Sequence, residues 1–165
     1  MSRGVLIAGV GNIFLGDDGF GVEVARRLAA SPPAGTKVED FGIRGIQLAY
    51  ELLDGYDGLI LVDALSRGGA PGTVYVLEPD AVVAAPGTLL DAHGLDPASV
   101  LSMMKMLGGS VGRTLVVGCE PAEIVERMGL SAPVELAVDE AVEVVRRLAA
   151  SWARGTDRIE EETSC

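Results

Sequence analysis

Short apolar segments alternating with amphipathic segments constrain the fold of this chain most strongly. Residues 5–8, 58–62 and 113–119 form largely apolar runs, which are typical of strands buried on both faces. Weaker strand patterns cover residues 37–41 and 73–77. Apolar residues at helical spacing predict helices over residues 22–29, 46–53, 98–107 and 131–148. The sequence therefore predicts an α/β fold with helices on both faces of a sheet.

The strand predicted over residues 73–77 differs from the others in how it is connected. Only a short glycine-rich loop, residues 68–72, precedes it. A parallel crossover needs a dozen residues or more, so this strand should run antiparallel to its neighbour. No linker divides the chain. We expect one domain over residues 1–152, followed by a polar, flexible tail over residues 153–165.

The acidic composition excludes several classes of partner. The net charge is −11 at pH 7. Such a surface repels nucleic acids and anionic membranes, and it is compatible with a cation or a basic partner. The first apolar run is too short for a signal peptide or a membrane span. Of the two cysteines, Cys165 ends the polar tail, so a structural disulfide is not expected and a cytoplasmic location is predicted.

Three segments place polar side chains where a ligand would bind. Ligands of open α/β sheets lie beyond the carboxyl ends of the strands. Asp17 and Asp18 follow the first strand, Asp63 ends the third, and His93 lies in the irregular stretch between residues 78 and 97. Two carboxylates and one imidazole form a metal-ligand set that leaves coordination positions open. Glu120, at the end of another strand, is a possible further neighbour.

Each of these residues also has a purely structural interpretation. Asp17 and Asp18 could cap the following helix, although successive residues cannot both cap it. Asp17 is the second choice as a catalytic acid and is better interpreted as a cap or loop-shaping residue. Asp63 could cap the turn after its strand. His93, the only histidine, could be an ordinary hydrogen-bonded residue.

Other common site chemistries do not fit the sequence. A dinucleotide-binding loop starting at Gly9 would need a glycine where Phe14 stands, and its acids would repel a pyrophosphate. The Walker A, H-E-x-x-H and G-x-S-x-G motifs are absent from the sequence. Cys119 has no evident base and is predicted to be a buried strand residue.

Taken together, the motifs resemble those of the nickel–iron hydrogenase maturation proteases from residue 5 to about residue 148. In chain order they are Gly9-Val10-Gly11-Asn12 with Asp17-Asp18-Gly19-Phe20-Gly21, Asp40-Phe41-Gly42 with Gly45, Val62-Asp63-Ala64 with Pro71-Gly72, His93-Gly94-Leu95, and Gly118-Cys119-Glu120-Pro121. The chain departs mildly from the family at Phe41 and Arg44, in a turn that is often richer in Gly and Thr. That turn is thought to contribute to substrate recognition, so the particular large subunit stays open.

The resemblance implies a phosphorylase/hydrolase-like, three-layer α/β/α fold around a twisted five-stranded sheet with one antiparallel strand. It implies an endopeptidase that trims the C-terminal extension of a hydrogenase large-subunit precursor after nickel insertion. The family's metal-contacting residues correspond to Asp18, Asp63 and His93, and the nickel belongs to the precursor. These residues would position the scissile bond, while a carboxylate activates water. Two alternatives remain: a non-catalytic nickel-sensing chaperone, and a related peptidase acting on a different protein.

Overall fold

A computed structural model describes residues 4–80 and 97–163 of the chain, with side chains through residue 154. The described strands are β1 Val5–Val10, β2 Thr36–Gly42, β3 Gly58–Ala64, β4 Val74–Leu77 and β5 Arg113–Cys119. The described α-helices are α1 Phe20–Ala29, α2 Gly45–Leu52, α3 Pro97–Met106 and α4 Ala132–Thr163. A one-turn 3₁₀ helix, Gly16–Gly19, lies between β1 and α1.

The strands form one mixed sheet in the order β2-β1-β3-β5-β4. β2, β1, β3 and β5 are parallel, and β4 runs antiparallel to β5, with Val74 opposite Cys119. The predicted antiparallel strand is therefore confirmed. Its neighbour is β5, however, and not β3, the strand that precedes it in the sequence. β5 lies between β3 and β4 in the sheet, so the short loop that joins β3 to β4 passes across the width of one strand.

Two apolar cores flank the sheet because successive strand side chains point to opposite faces. On one face, Ile7 and Ile60 pack against α1 and α4, which contribute residues such as Val24 and Val138. On the other face, Leu6 packs in the core to which α2 and α3 contribute Leu48, Leu52, Val100 and Met104. The predicted three-layer α/β/α architecture is confirmed.

Several elements extend beyond their predicted bounds, and the extensions of β3 and α4 change how a predicted feature is interpreted. β3 continues through Asp63 and Ala64, so Asp63 is a strand residue and not the first residue of a loop. α4 begins after Ser131, as predicted, but continues through Thr163. Most of the segment predicted as a polar tail is therefore helical, and its flexibility stays a prediction.

α1 approaches the sheet closely at Gly21. A Cβ atom there would overlap the carbonyl oxygens of Val62 and Val10, at the carboxyl ends of β3 and β1. Only glycine lets the helix backbone lie this near the two strands. This contact holds the 3₁₀ helix, directly before α1, beside the carboxyl edge of the sheet.

Gly21→Ala is expected to lower the free energy of unfolding by about 3 kcal/mol, because both overlapping atoms belong to the backbone of buried strands. Urea denaturation followed by circular dichroism measures the effect. Ala29→Ser adds one heavy atom to the exposed end of the same helix and should cost less than about 0.5 kcal/mol. Equal, small losses in both variants would contradict the proposed close packing.

Candidate functional site at the carboxyl edge of the sheet

Asp18 and Asp63 lie at the carboxyl ends of two neighbouring parallel strands. β1 and β3 pair in register, with Gly9 opposite Val62, so both strands end at the same edge. Asp63 follows Val62 within β3, and the 3₁₀ helix carrying Asp18 contacts β3. The predicted placement of both acids at this edge is confirmed.

The loop between β1 and the 3₁₀ helix folds back onto Asp18. The backbone N–H of Asn12 donates a 2.8 Å hydrogen bond to Oδ2 of Asp18, which is half-buried. Gly11 has a φ of 134°, and a Cβ atom there would overlap the carbonyl oxygen of Asp18. Glycine at position 11 is thus required for this tight loop. The loop fixes the Asp18 carboxylate at the sheet edge.

The capping interpretation of Asp17 and Asp18 is wrong. The 3₁₀ helix begins after Leu15 and α1 begins after Gly19, and neither helix has a side-chain cap at its amino end. Asp18 binds the N–H of a residue six positions before it, and Asp17 binds residues more than 100 positions after it. The two acids therefore have separate partners in the tertiary structure.

Asp63 is buried, with 9% of its surface exposed. Its Oδ1 accepts a 2.8 Å hydrogen bond from the N–H of Ala64, the last residue of β3, so this bond lies within the strand and not in the turn that follows it. On β5, the residue opposite Asp63 is Gly118, where a Cβ atom would overlap the side chain of Leu65. Asp63 is thus held in the central part of the sheet, with β1 and β5 on either side of its strand.

Asp17 is a fully buried anchor between the 3₁₀ helix and the segment joining β5 to α4. Its carboxylate accepts hydrogen bonds of 2.7–3.0 Å from the backbone N–H groups of Ala122, Glu123 and Ser131, and one of 2.8 Å from the Ser131 hydroxyl. Burial alone would raise the pKa of Asp17, but these donors together lower it. The predicted loop-shaping role is confirmed.

Glu120 is a third buried carboxylate at this edge, with 6% of its surface exposed. Its Oε1 accepts hydrogen bonds from the backbone N–H groups of Arg67 and Gly69, at 2.8 and 3.0 Å, and from the Tyr75 hydroxyl at 2.7 Å. Burial and the bond to Glu120 raise the pKa of Tyr75. Sequence reasoning named Glu120 as a possible neighbour but did not predict these contacts.

Cys119 is a fully buried residue of β5, as predicted. Burial raises the pKa of its thiol to about 12, with smaller contributions from the negative charges of Asp17 and Glu120. Since the thiolate is the nucleophilic form, Cys119 is unreactive near neutral pH. It belongs to the apolar core beneath α4.

His93 lies outside the described residues, in the interval 81–96. Within residues 4–80 and 97–163, no three His, Cys, Asp or Glu side chains are grouped as metal ligands. The ligand set of Asp18, Asp63 and His93 therefore stays a prediction. No helix in the described part of the chain is both long and apolar enough to span a membrane.

Comparison with known proteins identifies relatives over nearly the whole chain. A family model described as hydrogenase maturation protease matches residues 22–148. The hydrogenase 2 maturation protease of Escherichia coli K12 is 32% identical over 161 residues, which cover 96% of each chain. A putative hydrogenase maturation protease of Methanocaldococcus jannaschii is 33% identical over 148 residues, covering 87% of this chain and 94% of the relative.

Solved structures agree with the sequence comparison. The hydrogenase maturating endopeptidase HybD from E. coli superimposes with a TM-score of 0.77 at 32% identity, over 94% of each chain. A hydrogenase 2 maturation peptidase from Thaumarchaeota archaeon SCGC_AB-539-E09 has a TM-score of 0.67 at 32% identity, over 90% of this chain and 99% of that one. The shared fold and the extent of these matches lead to one conclusion: the chain belongs to the hydrogenase maturation protease family.

Proposed function

We propose that this peptidase removes a C-terminal extension from the precursor of a hydrogenase large subunit after nickel has been inserted into it. The placement of Asp18 and Asp63 at the ends of neighbouring strands, in a chain of this family, carries the proposal. Two carboxylates at one sheet edge offer both a base for water and ligands for a metal. The predicted location of the activity is the cytoplasm.

Hydrolysis would use the two carboxylates in place of a covalent nucleophile. Asp18 or Asp63 accepts a proton from water as the water oxygen attacks the carbonyl carbon of the scissile peptide bond. The tetrahedral intermediate then breaks its C–N bond, and the proton passes to the leaving amine. The buried, neutral thiol of Cys119 favours this route over a thioester intermediate.

The nickel in this reaction is part of the substrate. Asp18, Asp63 and His93 would complete the coordination of the nickel carried by the precursor, because imidazole and carboxylate groups both bind such ions. These bonds would bring the scissile bond to the carboxylates, which is a positioning effect. A precursor without nickel would lack these bonds and dock poorly, so nickel insertion would license the cut.

The proposal predicts nickel-dependent loss of a C-terminal peptide. Nickel-loaded and nickel-free large-subunit precursor from the same source are each mixed with the purified protein, and intact masses are recorded. Only the nickel-loaded sample should lose mass. Cleavage of both samples would refute the licensing role of nickel while retaining a peptidase. Stable binding without any mass change would instead support a nickel-sensing chaperone, and cleavage of some other protein alone would support a peptidase with a different substrate.

A further inference from the structure

We propose that Glu120 is a positioning residue for Asp63, acting through the loop of residues 65–73 that leaves β3. The inference rests on the proposed function of Asp63. Glu120 itself would not contact the scissile bond. Its role would be to hold the chain directly after Asp63 in one conformation, so that the Asp63 carboxylate keeps its direction at the edge of the sheet.

The contacts of Glu120 concentrate on one oxygen atom. Among the described residues, Oε1 accepts three hydrogen bonds, two from backbone N–H groups of the loop and one from Tyr75 on β4. Hydrogen bonds to a charged acceptor are about twice as strong as neutral ones. The Arg67 guanidinium lies 5.9 Å from the centre of the Tyr75 ring, so a positive charge also lies beside this cluster.

The backbone of Glu120 and Cys119 holds the two ends of the same loop. At its start, Leu65 N–H donates to the Cys119 carbonyl at 2.9 Å. At its end, Gly72 N–H donates to the Glu120 carbonyl at 2.8 Å, and Glu120 N–H donates to Thr73 at 2.9 Å. Because residues 66–71 are exposed, core packing does not order the middle of the loop. The Glu120 carboxylate holds this middle part at the N–H groups of Arg67 and Gly69, and Thr73 adds hydrogen bonds to the Ala70 carbonyl.

Only one residue separates this loop from Asp63. Ala64 donates its N–H to Asp63 Oδ1 and pairs with Cys119 in the sheet. A shift of the loop would therefore change the position of the donor that orients the Asp63 carboxylate. Misplacement of a reacting group by about 1 Å can reduce a rate roughly 100-fold. A buried carboxylate that served only to join β4 to β5 would have no such effect on turnover.

The test uses Glu120→Ala, Glu120→Gln, Tyr75→Phe and the control Glu126→Ala, which alters an exposed acid of the β5–α4 segment. Cleavage of nickel-loaded precursor gives kcat and KM. Amide hydrogen exchange measured by NMR gives the protection of Arg67, Gly69 and Ala64 without requiring activity. Thermal unfolding establishes that each variant is folded at the assay temperature.

Glu120→Ala is expected to lower kcat about 30-fold with KM within about twofold of wild type, and to remove protection at all three amides. Glu120→Gln keeps an acceptor oxygen and should retain kcat within about threefold. Tyr75→Phe removes one donor, should lower kcat about threefold, and serves as the variant that keeps Glu120 if Glu120→Ala unfolds. Glu126→Ala should match wild type.

Two results would overturn the inference. The first is a folded Glu120→Ala variant with normal kcat, or with normal exchange at Ala64. The second is a Glu120→Gln variant that is as inactive as Glu120→Ala but keeps wild-type exchange at Arg67, Gly69 and Ala64, because the charge would then act on the reaction and not on the loop. If wild-type protein fails to cleave the precursor, the proposed function fails, and the Ala64 exchange data still decide whether Glu120 orders the residue next to Asp63.

Discussion

Replacing Asp18 by Asn is expected to slow precursor cleavage roughly 100- to 10,000-fold, the range that a positioned general base contributes. The amide cannot accept a proton from water and is a weaker metal ligand than a carboxylate. Its oxygen can still accept the hydrogen bond from Asn12 N–H, so the loop conformation should persist. Intact-mass kinetics with nickel-loaded precursor measure the loss.

Asp63→Asn should have an effect of similar size, because the new side chain can still accept the Ala64 N–H while losing its charge. Asp57→Asn is a matched control, since Asp57 is an exposed acid just before the amino end of β3. It should cleave at the wild-type rate. Normal cleavage by Asp18→Asn would remove Asp18 from the proposed site, even if Asp63→Asn were inactive.

Replacing Asp17 by Ala is expected to lower the free energy of unfolding by about 4 kcal/mol at pH 7. The change leaves three backbone N–H groups and the Ser131 hydroxyl without their carboxylate partner in a fully buried position. It also removes a negative charge from the amino end of α4, where the helix dipole favours it. Urea denaturation measures the loss.

The stability lost in Asp17→Ala should depend on pH. Folding lowers the pKa of Asp17, so its contribution is complete above the ordinary aspartate pKa of about 3.9 and is lost as pH falls through the lower folded value. The difference between wild type and Asp17→Ala should therefore shrink as the pH is lowered from about 5 to below the folded pKa. Asp139→Ala, at a largely exposed acid paired with Arg27, should cost less than about 1 kcal/mol. An Asp17→Ala loss no larger than this control would contradict the anchoring role.

The pattern of apolar residues and the order of the sequence motifs were sufficient to predict most of the fold. The continuous apolar runs predicted the central strands β1, β3 and β5, and the short loop before β4 predicted its direction. The insertion of β5 between β3 and β4 could not be predicted from that loop, because its length limits only how far β4 can lie from β3. The end of α4 was missed because its last turns are polar and lack the apolar periodicity used to recognise a packed helix.

The candidate site, like the fold, could be predicted from the sequence only in part. Strand ends predicted the placement of Asp18 and Asp63, since the carboxyl ends of the neighbouring parallel strands β1 and β3 lie at one edge of the sheet. The partners of Asp17 and Glu120 were out of reach, because they lie 105 to 114 and 45 to 53 residues away in the sequence. The only sequence signal for Asp17 was that two adjacent acids could not share one capping role.

The order of strands also determines when the site can be completed during synthesis. β4 pairs only with β5 in the described sheet, and β5 follows it in the chain by more than thirty residues. A ribosome-bound chain that ends before β5 therefore lacks the partner of β4, the Glu120 contacts of the loop after Asp63, and the hydrogen-bond donors Ala122, Glu123 and Ser131 of the Asp17 carboxylate. Contacts between distant residues form late because chain closure must precede them. The contacts that order the loop after Asp63 and anchor the 3₁₀ helix therefore become available only once α4 has begun to be synthesised.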